Sequence, residues 1–373
     1  MKLTLVLLVC LLFGLTLILS RSFWPQPSLL SPLAVNSPSP APTPAYSPQI
    51  WGFLPYWNLN QFDPQALSHL TDLAYFSLTV DATGQWLNQD IGYRRFLANY
   101  FSLAQLCQTH HLKFHLVIKA ESDQALFDLL HHPTAQARLN SAITQLTAAY
   151  PLHGLNLDFE PSTATDAATI NAFTVFVQKL KTENSKLKIS IDIYPSAASS
   201  PKLWDLASLK TASDYFIIMA YDYTQANSLA AGPIAPLYPS PLSRHAIMPN
   251  LQEITQLVAP HQLLLGLPLY GYEWSTLDTS LYAPARRSGQ LATLQRLSRH
   301  LPVSLILTNP QTLSSRLVLT SDDAVSQIYF DDLAAFTHKA ALVKNGGLRG
   351  VALWAIGYEG PVDIWSALAA GFN

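Results

Sequence analysis

The sequence of 373 residues contains only two cysteines, Cys10 and Cys107, and Cys10 lies inside an N-terminal apolar run. A framework of disulfide bonds is therefore excluded. Charged residues are also few, at 12%, and they give a net charge of −2. This balance gives no reason to expect nucleic acid as a partner. A hydrophobic fraction of 49% excludes a disordered chain and allows a large core.

Two further absences narrow the class of protein. The chain shows no internal repeat of the solenoid type. Its 11 histidines form no cluster with the spacing of metal ligands, so we do not expect a metal site.

The N-terminal residues are typical of a targeting segment. Residues 3–19 form an almost uninterrupted apolar run between Lys2 and Arg21. A run of about 17 residues is at the short edge of what spans a bilayer. Residues 1–21 are therefore predicted to be a signal anchor or a cleaved signal peptide. The anchor is favoured because no small-x-small cleavage site follows at once.

Residues 22–49 are rich in proline and include the stretch SPSPAPTPAYSP. Proline fixes φ and removes hydrogen-bond donors, so this segment is expected to be an extended, semi-rigid linker. A tether followed by a spacer would place residues 50–373 outside the cytoplasmic membrane, or in the medium if the segment is cleaved.

Eight strand-like apolar runs follow the linker. They are IWGFLPYW (50–57), LTDLAYFSLTV (70–80), KFHLVIKA (113–120), GLNLDFE (154–160), KISIDIYPS (188–196), YFIIMAYDY (215–223), LLLGLPLYGYEW (263–274) and GVALWAIGYE (350–359). Amphipathic stretches such as 136–150 and 166–183 separate most of them. Eight apolar strands with helical crossovers predict an α/β fold of the (β/α)8 TIM barrel type.

The chain is longer than a minimal barrel, and the excess falls between the seventh and eighth runs. Residues 275–325 are predicted to form a small α+β insertion there. A doubly wound open sheet is the alternative fold, but it has no natural use for eight similar strands.

Carboxyl and aromatic side chains stand at the ends of five runs. They are Tyr56 and Trp57 in the first, Asp158 and Glu160 in the fourth, Met219, Tyr221, Asp222 and Tyr223 in the sixth, Tyr270, Tyr272 and Trp274 in the seventh, and Trp354 and Glu359 in the eighth. Active sites of such barrels lie at the carboxyl ends of the strands. Rings stack on sugar faces and carboxylates handle protons, so this set is typical of a carbohydrate site.

The fourth run carries the most specific pattern. In HGLNLDFEP the polar residues Asn156, Asp158 and Glu160 alternate with apolar ones and share one face of the strand. Glu160 is outermost, where it could act as general acid, and Asp158 is one step deeper and partly desolvated. Two carboxylates this close can share a proton, which keeps an acid available near neutral pH. The alternative is a structural pair that caps a helix or binds a loop.

These residues carry a resemblance. HGLNLDFE resembles D-G-x-D-x-D-x-E, the signature of glycoside hydrolase family 18, whose members include chitinases and related endo-N-acetylglucosaminidases. IMAYDY and GVALWAIGYE resemble that family's sixth and eighth strands. GFLPYW, LGLPLYGYEW and YFDD followed by LVKNGGLRGVALW resemble the bacterial branch that acts on spore cortex and cell-wall peptidoglycan. The resemblance covers about residues 50–365.

The resemblance implies a retaining, substrate-assisted mechanism that needs no cofactor. Glu160 would be the acid/base, Asp158 would orient the substrate's acetamido group, and Tyr221 would hydrogen-bond its carbonyl. Trp354 would form the floor of the sugar subsite. The remaining side chains expected to bind substrate are Met219 and Asp222 by resemblance, and Asn156, Tyr56, Tyr270 and Trp274 by their places on the strands.

The chain departs from the family pattern at three points. His153 and Asn156 replace the first two acids of the signature, and HLVIKA stands where the family has S-x-G-G. Asn156 could still hydrogen-bond Asp158. Lys119 either contacts an anionic substrate group or pairs with Glu121, and the pair is favoured.

We expect a monomeric glycosidase that binds peptidoglycan or chitin, and the sequence leaves these two polymers open. One alternative is a glycan-binding barrel without catalysis, although such proteins usually lose the Glu that is present here as Glu160. A second is an envelope scaffold, which leaves the carboxylates and rings at the strand ends unexplained.

Overall fold

The computed structural model describes residues 46–299, 306–321 and 324–373, and its folded unit is Ser47–Asn373. Parallel strands close into an eight-stranded barrel that follows chain order. The first seven are β1 (Gln49–Pro55), β2 (Asp72–Val80), β3 (Lys113–Ala120), β4 (Gly154–Asp158), β5 (Lys188–Ile193), β6 (Tyr215–Ile218) and β7 (Leu263–Pro268). The targeting segment and nearly all of the proline-rich linker lie outside the described residues. Within the described part, no helix has the length and apolarity needed to cross a bilayer.

An insertion separates the seventh and eighth barrel strands. It contains β8 (Tyr270–Thr276), β9 (Gln290–Thr293), β10 (Ile306–Asn309), β11 (Ser314–Ser321) and β12 (Ala324–Phe330), which form one antiparallel sheet. The chain then closes the barrel with β13 (Gly350–Trp354), which pairs with β1 and β7. The predicted barrel with an insertion at this place is confirmed.

The predicted seventh run is wrong as a single strand, because β7 and β8 belong to different sheets. Pro268 ends β7 and has no N–H with which to continue the barrel ladder. The insertion sheet therefore begins at Tyr270 and ends at Phe330, wider than the predicted 275–325.

Helices connect the strands. They are α1 (Ile91–Thr109), α2 (Asp123–His131), α3 (Pro133–Ala149), α4 (Ala167–Glu183), α5 (Leu206–Leu209), α6 (Ile247–Thr255), α7 (Leu294–Leu297), α8 (Leu333–Asn345) and α9 (Ile364–Phe372), with 3-10 turns at Tyr56–Asn58, Pro64–His69 and Pro260–Gln262. Helix α4 begins where the side chain of Asp166 accepts a hydrogen bond from the N–H of Thr169 at 2.8 Å. An oxygen acceptor at this position satisfies one of the free amide donors of the first turn.

Side chains fill the interior of the barrel, so it is a packed core and not a pore. The inward cluster consists of Trp51, Phe53, Ala74, Val117, Ile217, Leu264 and Ala352. Deep in the barrel, His115 Nε2 lies 2.8 Å from the carboxylate of Asp72, and Trp51 stacks on the imidazole at 4.2 Å. Side chains thereby close the bottom of the barrel, and the groove described below lies at the carboxyl ends of the strands.

Candidate active site

The polar face of β4 runs from the core to the surface. Asn156 is fully buried, Asp158 is 7% exposed, and Glu160, two residues beyond it, is exposed. A strand advances about 6.6 Å for every two residues, so these three groups stand at three depths. The structure therefore agrees with the expected order, in which Glu160 is outermost and Asp158 is desolvated.

Asn156 does not support Asp158 directly, which corrects the expectation from the sequence. Its Nδ2 donates to Ser190 Oγ at 3.1 Å and to Asp192 Oδ1 at 2.7 Å, both on β5. Within the described residues its Oδ1 has no hydrogen-bond partner. Asn156 therefore positions the neighbouring carboxylate of Asp192 and does not line the groove.

Asp192 is the site residue that the reasoning from sequence missed. It is buried, and it lines the groove together with Asp158 and Glu160. The alternation S-I-D-I in β5 places Ser190 and Asp192 on one inward face, and this pattern could have found it. Burial raises the pKa of Asp192, the hydrogen bond from Asn156 opposes that shift, and the charge of Glu160 adds to it.

The pKa of Asp158 is raised well above its usual value. Burial is the main cause, followed by the negative charges of Glu160 and Asp192 and by a hydrogen bond with Glu160. The ammonium of Lys119, which faces Asp158 in the register of β3 and β4, opposes the shift. A carboxyl group in this environment holds a proton that it can share with Glu160.

The chain beyond β6 supplies a phenol and a fourth carboxylate to the groove. Burial, with the charges of Asp192 and Glu160, raises the pKa of Tyr221 well above its usual value, so its hydroxyl remains a donor. Asp222 has a left-handed backbone with φ of 57°. It accepts hydrogen bonds from Tyr270 at 2.6 Å and Tyr272 at 3.3 Å, which hold its side chain in place.

Aromatic side chains, among them Phe76 and Trp354, border the inner part of the groove. The half-buried ring of Trp354 packs edge-on to Phe76 at 4.6 Å between centroids. It also approaches Trp57 at 6.3 Å, and Trp57 is itself exposed. Tyr56 does not line the groove, because its ring packs against Trp57 and its carbonyl accepts a hydrogen bond from Arg95.

Trp274 lies away from the groove, which corrects the expectation that it contacts substrate. Its side chain is 0% exposed, and its Nε1 donates to the carbonyl of Ala226 at 3.0 Å. The reason is that β8 carries it into the core of the insertion sheet. Tyr270, at the start of the same strand, does line the groove.

The groove has two connected compartments. The inner one, of about 200 Å³, is lined by Phe53, Phe76, Asp158, Glu160, Asp192, Ile217, Met219, Tyr221, Asp222, Gly266, Tyr270, Ala352 and Trp354. The outer one, of about 620 Å³, is lined by Glu160, Ser162, Tyr194, Pro195, Ser196, Lys202, Met219, Tyr221, Asp222, Tyr223, Gln225, Ser243, His245 and Asn250. Glu160 borders both, whereas Asp158 borders only the inner one.

The expected pair between Lys119 and Glu121 is absent from the ion pairs of the described residues. Lys119 acts instead on Asp158 through its charge. In the same part of the chain, no group of three or more histidines, cysteines or acids is arranged to hold a metal ion.

A family model for glycosyl hydrolases of family 18 matches residues 49–359. The chain belongs to this family. Its departure at His153 lies outside the groove, because His153 precedes β4 at the opposite end of the barrel. There its Nδ1 accepts a hydrogen bond from the N–H of Phe114 at 3.0 Å. The residues in the motifs that resemble the family, Asp158, Glu160, Tyr221 and Trp354, all border the inner compartment.

Several relatives share the family at low identity. The chain is 24% identical over 330 residues to the cortical fragment-lytic enzyme of Bacillus subtilis, covering 85% of this chain and 71% of that enzyme. It is 23% identical over 242 residues to the sporulation-specific protein YdhD of the same organism. That match covers 63% of this chain and spans only 54% of the length of YdhD.

The fold is also that of a solved family member. The structure of a family 18 chitinase from Cycas revoluta in complex with (GlcNAc)4 matches with a TM-score of 0.76 at 17% identity. The match covers 87% of this chain and 100% of the chitinase. At this identity the likeness shows the shared barrel.

Proposed function

We propose that this chain hydrolyses the β-1,4 bond that follows an N-acetylated amino sugar in a polysaccharide. The observation that carries the proposal is the buried Asp158, with its raised pKa, beneath the exposed Glu160 in the inner compartment. Membership in family 18 and the tryptophan floor support it.

The reaction would proceed by substrate assistance, for which the site has no need of a nucleophilic side chain. The acetamido oxygen of the sugar attacks its own anomeric carbon, and Glu160 gives its proton to the departing glycosidic oxygen. Asp158 accepts the acetamido N–H and stabilises the positive oxazolinium, while the Tyr221 hydroxyl donates to the acetamido oxygen. Glu160 then removes a proton from the water that attacks the anomeric carbon and opens the oxazolinium ring. The anomeric carbon thereby regains its original configuration.

The test compares the full chain with its Glu160→Gln variant on peptidoglycan and on chitin oligosaccharides. We expect wild type to release fragments with a new reducing end and the variant to lose about 10²- to 10⁴-fold in kcat. Mass spectrometry identifies the fragments, and proton NMR determines the anomeric configuration of the reducing end that forms first. Retention is expected, and inversion would contradict the mechanism.

Glu183→Gln is the matched control, because Glu183 lies on the surface in an exposed pair with Lys179 at 3.9 Å. Removing such a pair has little effect on a fold. Release by Glu160→Gln at the rate of wild type would refute the role of Glu160. Binding of oligosaccharides without any release by wild type would instead make the chain a glycan-binding barrel.

We further propose that residues 1–21 anchor the protein so that the barrel lies outside the cytoplasmic membrane. The support is the apolar run and the proline-rich linker in the sequence. Cell fractionation should place the full chain in membranes after a high-salt wash, and deletion of residues 2–21 should abolish this. An N-terminus of the mature protein near residue 22, read by mass spectrometry, would show cleavage and contradict the anchor.

A further inference from the structure

The outer compartment contains a lysine that forms no ion pair within the described residues. Lys202 is half-buried there, and its Nζ donates to the backbone carbonyls of Ser162 at 3.1 Å and Pro161 at 3.4 Å. The ammonium also lies 4.8 Å from the centre of the Tyr194 ring. Across the described ranges, no acidic side chain pairs with it.

The position of Lys202 is fixed by its own backbone. Its carbonyl accepts hydrogen bonds from both the N–H and the hydroxyl of Thr165, and its N–H donates to Ser200 at 2.8 Å. An ammonium has three N–H donors, and two have neutral acceptors here. A partly desolvated cation with a donor to spare favours an anionic ligand.

Lys202 stands on the leaving-group side of the acid. Glu160 borders both compartments, and the bond that it protonates must therefore lie between them. The sugar that is attacked occupies the inner compartment, where Asp158 and Tyr221 meet its acetamido group. The sugar that leaves lies in the outer compartment. Pro161 and Ser162, which hold the ammonium, directly follow Glu160 in the chain.

Tyr194 links the two groups. Burial and the neighbouring carboxylate of Glu160 raise the pKa of its hydroxyl, and its ring centre lies 4.8 Å from the ammonium of Lys202. The cation and the acid thus act on the same tyrosine. The carboxylates of Glu160 and Asp222 repel an anionic group of the substrate in other parts of the groove. A negatively charged substrate group is therefore favoured only near Lys202.

We propose that Lys202 binds the carboxylate of an acidic amino sugar on the leaving-group side of the cleaved bond. This inference rests on the proposed function and specifies its substrate. The preferred bond joins a neutral N-acetylated sugar to a sugar that carries a free carboxylate, as N-acetylmuramic acid does in a peptide-free peptidoglycan strand. A neutral chitin chain fits the same groove without using the cation.

The test measures kcat/KM of the full chain on three oligosaccharides: peptide-free peptidoglycan glycan, the same glycan as its methyl ester, and chitotetraose. Lys202→Met keeps the length of the side chain and removes its charge. It should lower kcat/KM on the acidic glycan about tenfold, mainly through KM, and by less than about threefold on the other two. Lys202→Arg should restore most of the loss, and the loss should shrink at high salt.

Lys210→Met is the matched control, because Lys210 also donates to a backbone carbonyl, that of Leu257 at 3.2 Å, but is exposed and does not border the groove. It should leave all three rates unchanged. Equal losses on all three substrates for Lys202→Met, or no loss on the acidic glycan, would overturn the proposal.

Binding separates this proposal from the proposed function. If wild type cleaves none of the three oligosaccharides, the hydrolase function fails. Calorimetric titration of the acidic glycan and of its ester into Glu160→Gln, with and without Lys202→Met, still tests whether Lys202 binds the carboxylate. Weaker binding of the acid alone in the double variant supports it, and equal binding of acid and ester refutes it.

Discussion

At the scale of single residues, the ionisation of Asp158 depends on burial and on charges contributed by three strands. Burial and the carboxylates of Glu160 and Asp192 raise its pKa, while Lys119 on β3 lowers it. A proton at this site is needed for the first step and is lost as pH rises through the raised pKa of Asp158. The upper pH limit of activity therefore reports the balance between Asp192 and Lys119.

Two variants should move that limit in opposite directions. Asp192→Asn removes a negative charge, so the pKa of Asp158 falls and the basic limb of the kcat/KM profile moves about half a unit to lower pH. Lys119→Met removes a positive charge, so the pKa rises and the same limb moves to higher pH. A pH profile between 4 and 9 on a soluble oligosaccharide measures both shifts. Movement of the basic limb in the same direction in the two variants would contradict this account.

At the scale of elements, the inner compartment depends on the close approach of β6 and β7. Gly266 on β7 borders the compartment, and a Cβ built on it would lie 2.5 Å from the carbonyl oxygen of Ile218 and 3.2 Å from the ring of Tyr221. The missing side chain thus makes room for the phenol of Tyr221.

Gly266→Ala should lower both stability and activity. The new methyl group cannot be accommodated without moving the backbone of β6 or the ring of Tyr221, and such overpacking typically costs about 1–3 kcal/mol. Urea unfolding and kcat measure the two effects.

Gly347→Ala is the control, because nothing lies within 4 Å of its added Cβ and only its left-handed φ of 64° opposes it. It should cost about 1 kcal/mol and leave kcat unchanged. Full activity in Gly266→Ala would show that Tyr221 does not depend on this contact.

At the scale of the whole molecule, a buried ion pair beside the insertion sheet also holds a distant segment of the chain. Lys339 on α8 pairs with Asp331, which follows the last strand of the insertion, and donates to the carbonyl of Ala235 at 2.7 Å beyond β6. Both side chains are 1% exposed. Burial raises the pKa of Asp331 and lowers that of Lys339, and each partner opposes the shift of the other.

Asp331→Ala should lower the free energy of unfolding by about 3–5 kcal/mol, because it leaves the ammonium of Lys339 buried without a counter-charge. The double variant Asp331→Leu with Lys339→Met should lose less than Asp331→Ala alone. Urea unfolding at pH 7 measures both. Lys179→Met, which breaks an exposed pair, should cost less than about 1 kcal/mol, and a similar cost for Asp331→Ala would contradict the prediction.

The sequence by itself determined the barrel and the central acids. Eight apolar runs with helical crossovers specify a closed parallel sheet, because strands that are buried on both faces appear in the sequence as continuous hydrophobic runs. The period of two in HGLNLDFE fixed which face Asp158 and Glu160 share, and their order set their depth. These features are local, so alternation and spacing were enough to predict them.

The tertiary structure decided which side chains reach the groove. Tyr270 and Trp274 lie in one strand, β8, which belongs to the insertion sheet. That sheet buries Trp274 in its core, whereas Tyr270 lines the inner compartment. Asn156 bonds Asp192 across the β4–β5 register, a pairing that spans 36 residues of chain. Lys202 is likewise brought to the carbonyls of Pro161 and Ser162 by its backbone contact with Thr165. Contacts between distant segments depend on packing, and no local pattern in the sequence encodes them.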